Sequence, residues 1–407
     1  MIASVSGDPR LASEAMMTPD PSPPDNAVLS HGAAASAVHA ALDPGDLFVY
    51  RGGVSDRAAH DHLTCAAIAR RIADLKGFRF AGEFDPQAPI AGARYFVPTN
   101  TLIGREAART LGIDNEDDLF GGVAPHAFVA TKSISHRLVG DHAHAPEGWS
   151  TSFADAVRDV VLRGFTAFDI DDAQRAGMSL LAHGPVRIKR ALGIGGSGQT
   201  VVRDRRALER ALAEVDVDEV ASCGIAVEQE LAGVVTYSVG QVRIDDLVAT
   251  YCGVQRLTEN NTGQRVYGGS ALRVARGDFD ALLSLPHTPE ARRAIEQARL
   301  YDNAAFRCFD GLFASRRNYD VAHGVDPAGR QCSGVLEQSW RIGGASGAEV
   351  EALMAFRRDP SLSVVRASTT EIYGSAATVP PGATLYFQGN DDHAGPLTKY
   401  AITDADP

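Results

Sequence analysis

A glycine-rich run between two strand-like segments restricts the fold of this chain more than any other part of the sequence. The run KRALGIGGSG spans residues 189–198, and residues 186–189 and 200–203 on its two sides favour strands. Glycine lets the backbone approach phosphate oxygens closely, and the ammonium group of Lys189 supplies a counter-charge. The order of strand, glycine loop and strand therefore predicts a β-hairpin lid that can close over a ligand.

Two other kinds of glycine-rich site fit this run less well. Gly193, Gly195 and Gly198 match the G-x-G-x-x-G fingerprint of dinucleotide-binding proteins, but that fingerprint needs a helix directly after the turn. A Walker loop would end in Gly-Lys followed by Ser or Thr, and this run does not. A hairpin lid is favoured, while an oxidoreductase and a hairpin without any ligand stay as alternatives.

Two acidic residues lie at equal distances from a turn in the C-terminal half. Residues 326–329 read Asp-Pro-Ala-Gly, which is a turn signal between two apolar segments and predicts an antiparallel hairpin. Asp320 and Glu337 then lie opposite each other on adjacent strands, where paired side chains are ~5 Å apart. Two carboxylates at this distance repel each other unless a cation lies between them.

The strand that carries Glu337 adds further polar groups to the same face. Alternation along a strand predicts Ser339 and Arg341 on that face. Carboxylate oxygens, completed by phosphate oxygens, are typical ligands of Mg²⁺ in nucleotide sites. Alternatively, one of the two acids faces solvent or pairs with Arg316 or Arg317, and the hairpin then holds no metal.

The composition changes along the chain. Residues 1–44 contain six prolines and no aromatic residue, which predicts a disordered tail. A strand at 47–50 is followed by a helix whose apolar residues recur at three and four positions, as expected of an open α/β domain. These residues are Cys65, Ile68, Ile72 and Leu75. From residue 185 on, β-rich segments follow, and Thr288 with Pro289 predicts the start of a long helix.

Charge and cysteine usage exclude several classes of protein. The 407 residues carry 39 Lys and Arg against 51 Asp and Glu, and the net charge of −12 opposes binding to nucleic acid. No stretch reaches the ~18 apolar residues that a membrane span needs. Five scattered cysteines without a C-x-x-C pair predict reduced thiols in a cytoplasmic protein.

The H-x-H pairs at 60–62 and 142–144 lack the spacing of a metal site and are expected at the surface.

Together these features resemble the ATP-grasp superfamily, with the closest similarity to an uncharacterised bacterial branch. The shared order is a first lysine, a lysine and glycine loop in a lid, a hinge strand with a glutamate, and a final acidic pair. The resemblance implies an α/β and α+β fold, with an open α/β (pre-ATP-grasp) domain at 45–130 and an ATP-grasp module at 131–375. The lid subdomain is expected at about 183–230, and a C-terminal strand and tail at 376–407.

The resemblance also implies roles for individual residues. Those expected to bind ATP are Lys132, Lys189, Gly195, Gly196, Ser197, Gly198, Glu228, Glu230 and Leu231. Those expected to hold Mg²⁺ are Asp320, Glu337 and Ser339, and those expected in catalysis are Lys189 and Arg341. Arg341 leads into Gly343 and Gly344, whose backbone amides could hold an oxyanion. Ser339 stands where the family has Asn, and Val235 stands near the place of a ribose-binding acid.

The function implied by the resemblance is that of an ATP- and Mg²⁺-dependent ligase. Such an enzyme activates a small carboxylate as an acyl phosphate, which an amine or a similar nucleophile then attacks. The departures at Ser339 and Val235 favour an alternative, an ATP-binding module without ligase activity. The expected partners are small molecules rather than nucleic acid or membrane, and the sequence leaves open whether the chain forms a homodimer.

Overall fold

A computed structural model describes residues 44–52, 58–88, 92–193, 198–375 and 377–405. The predicted disordered tail, apart from its last residue, lies outside these ranges. Gly195, Gly196 and Ser197 of the predicted phosphate loop also lie outside the described residues. No helix within the described ranges is long and apolar enough to cross a bilayer.

Strands and helices alternate first, and strands dominate later. The strands are β1 (Asp46–Tyr50), β2 (Arg79–Glu83), β3 (Arg94–Pro98), β4 (Leu102–Ile103), β5 (Gly122–Ala124), β6 (Gly164–Ala167), β7 (Val186–Arg190), β8 (Gln199–Val202), β9 (Ile225–Gln229), β10 (Ala232–Ile244), β11 (Leu247–Glu259), β12 (Arg265–Arg276), β13 (Phe313–Ala314), β14 (Arg316–Val325), β15 (Gln331–Ser339), β16 (Val364–Tyr373), β17 (Thr384–Asp391) and β18 (Gly395–Ala405). The α-helices are α1 (Ala59–Lys76), α2 (Arg105–Thr110), α3 (Thr151–Val157), α4 (Ile170–Leu181), α5 (Arg205–Ala213), α6 (Val217–Cys223), α7 (Phe279–Leu283), α8 (Pro289–Cys308) and α9 (Ser346–Arg358). Two 3-10 helices, Ala127–Ala130 and Lys132–Ser135, lie between β5 and α3.

The N-terminal part is a small parallel sheet with α1 packed against it. β1 pairs in parallel with β2 on one side and with β3 on the other. The helix predicted from a spacing of three and four residues is confirmed as α1, and its apolar face is buried. The buried residues of that face are Cys65, Ile68, Ile72 and Leu75. The helix ends at Gly77, whose φ of 69° lies in the left-handed region that glycine adopts without strain.

His60, at the start of α1, is buried, so the prediction of a surface position is wrong for this residue. Its backbone N–H donates to Asp391 Oδ2 at 2.9 Å, and its ring lies 5.9 Å from the ring of Phe387. Both partners belong to β17, more than 300 residues further along the chain, and local sequence cannot reveal them. His142 and His144 are exposed, as predicted.

A four-stranded antiparallel sheet in the order β6-β9-β7-β8, which we call the lid, contains the predicted hairpin. It includes β6, which lies before the lid bounds of about 183–230, and those bounds stay a prediction. Its apolar face, which includes Val186, Ile188 and Val227, belongs to one core with residues of α4 and α5. Because side chains alternate along a strand, the opposite face carries Lys189 and Glu228. β7 and β8 pair in antiparallel, which confirms the two strands of the predicted hairpin, while residues 194–197 of the glycine run lie outside the described residues.

The largest sheet among the described residues has eight strands in the order β15-β14-β10-β11-β12-β16-β18-β17. α8 packs on one face of this sheet, and α9 packs on the other. α8 begins as predicted, with Thr288 accepting a hydrogen bond from the N–H of Ala291 and Pro289 in the first turn. Residues 376–407, predicted as a strand and tail, contribute two strands to the sheet.

The predicted fold class is confirmed by this order of parts. An open α/β part comes first, a four-stranded sheet with a hairpin follows, and a large antiparallel sheet carries the acidic hairpin β14-β15 at its edge. This is the arrangement expected of an ATP-grasp fold. β13 pairs with β5, so the part before residue 130 and the part after it share a small sheet. The domain boundaries at 130 and 375 stay predictions.

Candidate active site

The acidic pair lies on the edge hairpin of the large sheet. Asp320 on β14 and Glu337 on β15 are direct partners in the register, which confirms their predicted opposition. A bulge follows at once, because Val321 pairs with Val335 and leaves Leu336 without a partner. Burial and the neighbouring Glu337 carboxylate raise the pKa of Asp320 to about 6, against hydrogen bonds from Gln255 and Asn318 that lower it. The pair is thus a concentration of negative charge that a cation would relieve.

Lys132 connects the acidic pair with the lid. Its ammonium group lies 3.0 Å from Glu337 Oε2 and donates to the backbone carbonyl of Gly193 at 2.8 Å. The side chain is 5 % exposed, and the preceding residue Thr131 accepts a hydrogen bond from the N–H of Ser133 that fixes the 3-10 turn. The residue predicted as the first nucleotide lysine therefore lies between the lid backbone and one of the two acids.

Lys189 and Glu228, two residues predicted to bind ATP, pair with each other inside the lid sheet. Lys189 Nζ lies 2.6 Å from Glu228 Oε1, and His136 Nε2 lies 3.1 Å from Glu228 Oε2. Burial raises the pKa of Glu228, but the Lys189 ammonium and His136 outweigh this effect and lower it to about 2. Glu228 is therefore an ionised, buried carboxylate. His136 is a member of this group that the sequence analysis missed, and no spacing signal pointed to it.

Directly after β9, the predicted hinge strand, Glu230 forms a second ion pair. Glu230 accepts two hydrogen bonds from Arg187, at 2.6 and 2.7 Å, in the forked geometry typical of Arg with carboxylate. Leu231 is buried next to it. Because β9 pairs with β7, Glu228 and Glu230 lie on the same face as the lid residues Arg187 and Lys189. The structure thus brings the predicted hinge residues together with the second lysine.

Arg316, the first residue of β14, lies on the acidic hairpin itself and is almost completely buried. It donates to both oxygens of Glu349 on α9, at 2.8 and 3.0 Å. It also donates to Ser339 Oγ at 3.2 Å and to the backbone carbonyl of Arg341 at 2.6 Å. Arg317 pairs with Asp302 instead. Neither arginine forms an ion pair with Asp320 or Glu337 among the described residues, although the nearby charge of Arg316 acts to lower the pKa of Asp320.

Arg341 follows β15, the strand that carries Glu337, and donates to the carbonyl of Ile342 at 2.9 Å. The expected oxyanion loop is only partly available. The N–H of Gly343 donates to Ser346 Oγ at 3.0 Å, so this amide already has a partner. Gly344 lies against the ring of Tyr267, where a Cβ atom at position 344 would come within 2.6 Å of a ring carbon. A larger residue at 344 would therefore push the loop away from the sheet.

The donor set fits a hard divalent cation completed by phosphate oxygens. Asp320 and Glu337 offer carboxylate oxygens, which Mg²⁺ prefers. Within the described residues, no group of three or more His, Cys, Asp and Glu side chains forms a metal cage. Two carboxylates without a full protein cage are typical of metal sites in which a bound phosphate supplies the remaining ligands.

Comparison with protein-family models gives a match over most of the chain. A family model described as "Protein of unknown function (DUF3182)" matches residues 49–401. No curated protein matches the chain.

Several solved structures are distantly similar. Phosphoribosylamine–glycine ligase from Thermotoga maritima is 13 % identical, with a TM-score of 0.47 and coverage of 89 % of this chain and 92 % of that one. Carboxyaminoimidazole ribonucleotide synthase from Aspergillus clavatus, in complex with ATP, is 13 % identical, with a TM-score of 0.45 and coverage of 89 % and 94 %. D-alanine–D-alanine ligase from Bacillus anthracis is 11 % identical, with a TM-score of 0.40 and coverage of 78 % and 100 %.

Proposed function

The chain belongs to the DUF3182 family, and we propose that it is an ATP- and Mg²⁺-dependent ligase that joins a small carboxylate to an amine or a similar nucleophile. The observation that carries the proposal is the register of β14 and β15, which sets Asp320 opposite Glu337, with Lys132 3.0 Å from Glu337. Two acids and one lysine that also donates to the lid backbone are suited to a metal-bound triphosphate.

In this proposal the chain binds and aligns its substrates, and no side chain acts as a strong base. A Mg²⁺ ion would supply neutralisation of phosphate charge, and Asp320 and Glu337 would hold it. Lys132 and the amides of the glycine run would position the phosphates, and Arg341 would lie near the transferred group. ATP binding by Lys189, Gly198, Glu228, Glu230 and Leu231 belongs to the same proposal.

The proposed reaction has two steps. A carboxylate oxygen of the substrate attacks the γ-phosphorus, the bond to the bridging oxygen breaks, and ADP leaves with both electrons of that bond. The nucleophile then attacks the carbonyl carbon of the acyl phosphate, loses a proton, and releases inorganic phosphate. The proposed partners are therefore a small carboxylate and a nucleophile, in the cytoplasm.

A second candidate function is an ATP-binding module without ligase activity. Ser339, which stands where the family has Asn, is engaged by Arg316. Val234 and Val235, near the place of a ribose-binding acid, are each 46 % exposed and apolar. Both observations favour a nucleotide site with fewer ligands than an active ligase needs.

The test is to incubate the purified full chain with ATP, Mg²⁺ and pools of small acids and amines, and to identify the released nucleotide. The ligase predicts release of ADP that depends on both an acid and an amine. ATP binding without ADP release in any mixture supports the second candidate, and no binding of ATP refutes both.

Glu337→Gln is the informative variant for this assay. Turnover should fall roughly 100-fold, and thermal unfolding of the variant measures separately the stability lost when Lys132, which is 5 % exposed, loses its counter-ion. Glu296→Gln, an exposed position on α8, is the matched control and should leave turnover unchanged. Lys189→Ala is less informative, because it would leave the buried Glu228 without its cation.

A further inference from the structure

The hairpin beneath the lid carries an arrangement of polar side chains that the family resemblance does not imply. Resting on the proposed function, we infer that, among the residues that the structure describes, only the side chains of Asp320 and Glu337 ligate the cation. Arg316 hydrogen-bonds Ser339 instead, and Asn318 positions Asp320. Ser339 is thus removed from the predicted metal ligands, and an amide on the neighbouring strand becomes part of the site.

The contacts of Arg316 argue against a cation at Ser339. Arg316 Nη1 donates to Ser339 Oγ and to the Ser339 carbonyl, both at 3.2 Å, so two oxygens of Ser339 face a guanidinium group. The other guanidinium nitrogens are bonded to Glu349, which is fully buried on α9. An arginine with these partners cannot turn away, and a Mg²⁺ ion bound to the same hydroxyl would lie only a few ångströms from a fixed positive charge.

The amide of Asn318 has an orientation fixed by its neighbours. Its Oδ1 accepts from Ser238 Oγ at 2.7 Å and lies 2.9 Å from the Tyr251 hydroxyl, while its Nδ2 donates to Asp320 Oδ1 at 3.0 Å. A flipped amide would set its carbonyl oxygen against the Asp320 carboxylate, whereas the two hydroxyl groups can accept as well as donate and so permit either orientation. The contact with Asp320 therefore favours the observed orientation.

The consequence for Asp320 follows from the register. Asn318 is the cross-strand partner of Ser339, and Asp320 is the partner of Glu337. Because side chains alternate along a strand, these two pairs lie next to each other on one face of the sheet. The bond from Asn318 holds one oxygen of Asp320 toward the pair of Asn318 and Ser339, and the carboxylate can present its other oxygen to a shared cation. Asn318 is therefore a positioning residue, and it acts on the cation only through Asp320.

Binding of Mn²⁺ to the full chain, followed by electron paramagnetic resonance and calorimetry with and without ATP, tests the inference. Asn318→Ala should weaken Mn²⁺ binding about tenfold, the size typical for the loss of a group that orients a metal ligand. Ser339→Ala should change the affinity by less than about twofold, because Ser339 is no ligand. Asp320→Asn should weaken binding more than Asn318→Ala does. Thermal unfolding of each variant shows whether it is folded.

The outcomes separate this inference from the proposed function. If Ser339→Ala weakens Mn²⁺ binding as strongly as Asp320→Asn, or if folded Asn318→Ala binds Mn²⁺ like the unmodified chain, the inference is wrong and the proposed metal site stands. If neither Asp320→Asn nor Glu337→Gln weakens Mn²⁺ binding, the metal site itself is wrong, and the proposed function falls with it.

Discussion

Glu228 is the residue whose replacement should reveal most about the stability of the lid. It is 1 % exposed and ion-paired with Lys189, and His136 contacts its second oxygen. Glu228→Gln removes the negative charge and leaves the ammonium of Lys189, which is 3 % exposed, without a counter-ion. Breaking a buried ion pair by removing one partner is strongly destabilising, because an uncompensated charge stays in a medium of low polarity.

The size of the effect follows from the pKa of Glu228. That pKa falls from 4.5 to about 2 on folding, and at ~1.4 kcal/mol for each tenfold change in proton affinity the difference corresponds to roughly 3 kcal/mol. Because the folded pKa is lowered, this stability is present above pH 4.5 and is lost as the pH falls towards 2. The stability difference between the unmodified chain and Glu228→Gln should also decrease as the pH falls, because the variant has no carboxylate at this position to protonate.

Urea denaturation followed by tryptophan fluorescence measures this effect. At pH 7, Glu228→Gln should lower the free energy of unfolding by roughly 3 kcal/mol, and the difference from the unmodified chain should shrink below pH 4.5. Glu230→Gln is the matched control on the same strand end. Its ion pair with Arg187 is 20–30 % exposed, so we expect a loss of only about 1 kcal/mol. An equal loss in both variants, or a difference that does not change with pH, would refute the reasoning.

Two further predictions concern Lys132 and the start of α8. Lys132→Met should weaken ATP binding at least tenfold, because a charged hydrogen bond contributes ~1.5–3 kcal/mol, and calorimetry with ATP and Mg²⁺ measures it. An unchanged ATP affinity would exclude Lys132 from the nucleotide site. Thr288→Ala should lower the free energy of unfolding by about 1 kcal/mol through loss of the bond to the Ala291 N–H. Urea denaturation measures this loss, and Thr288→Ser should restore most of the stability.

Some parts of the structure could be predicted because they depend on neighbouring residues. The register of Asp320 and Glu337 followed from the turn at 326–329, since a hairpin turn sets which residues face each other. β2 was not predicted. Its sequence RFAGE has no β-branched residue, and its side chains alternate between half-buried and exposed, so only pairing with β1 makes it a strand.

The candidate site divides in the same way. The positions of Lys132, Lys189 and the acidic pair in the chain were enough to nominate them, because their order relative to strands and glycines is a local property. The sequence did not predict which group each of these charged side chains pairs with. Lys189 was expected to face a phosphate, and its ammonium lies against Glu228, an acid on another strand of the lid.

The amino-acid sequence by itself determined elements such as α1 and α8 and the pairing of the acidic hairpin, since periodicity, caps and turns act over a few residues. Only the tertiary structure decided which charges neutralise each other. Arg316 forms an ion pair with Glu349 because α9 packs on the face of the sheet that carries Asp320. His60 is buried because β17 packs against it. Such partners are chosen by burial, since a charge taken out of water must find the nearest opposite charge or hydrogen-bonding group, wherever that lies in the chain.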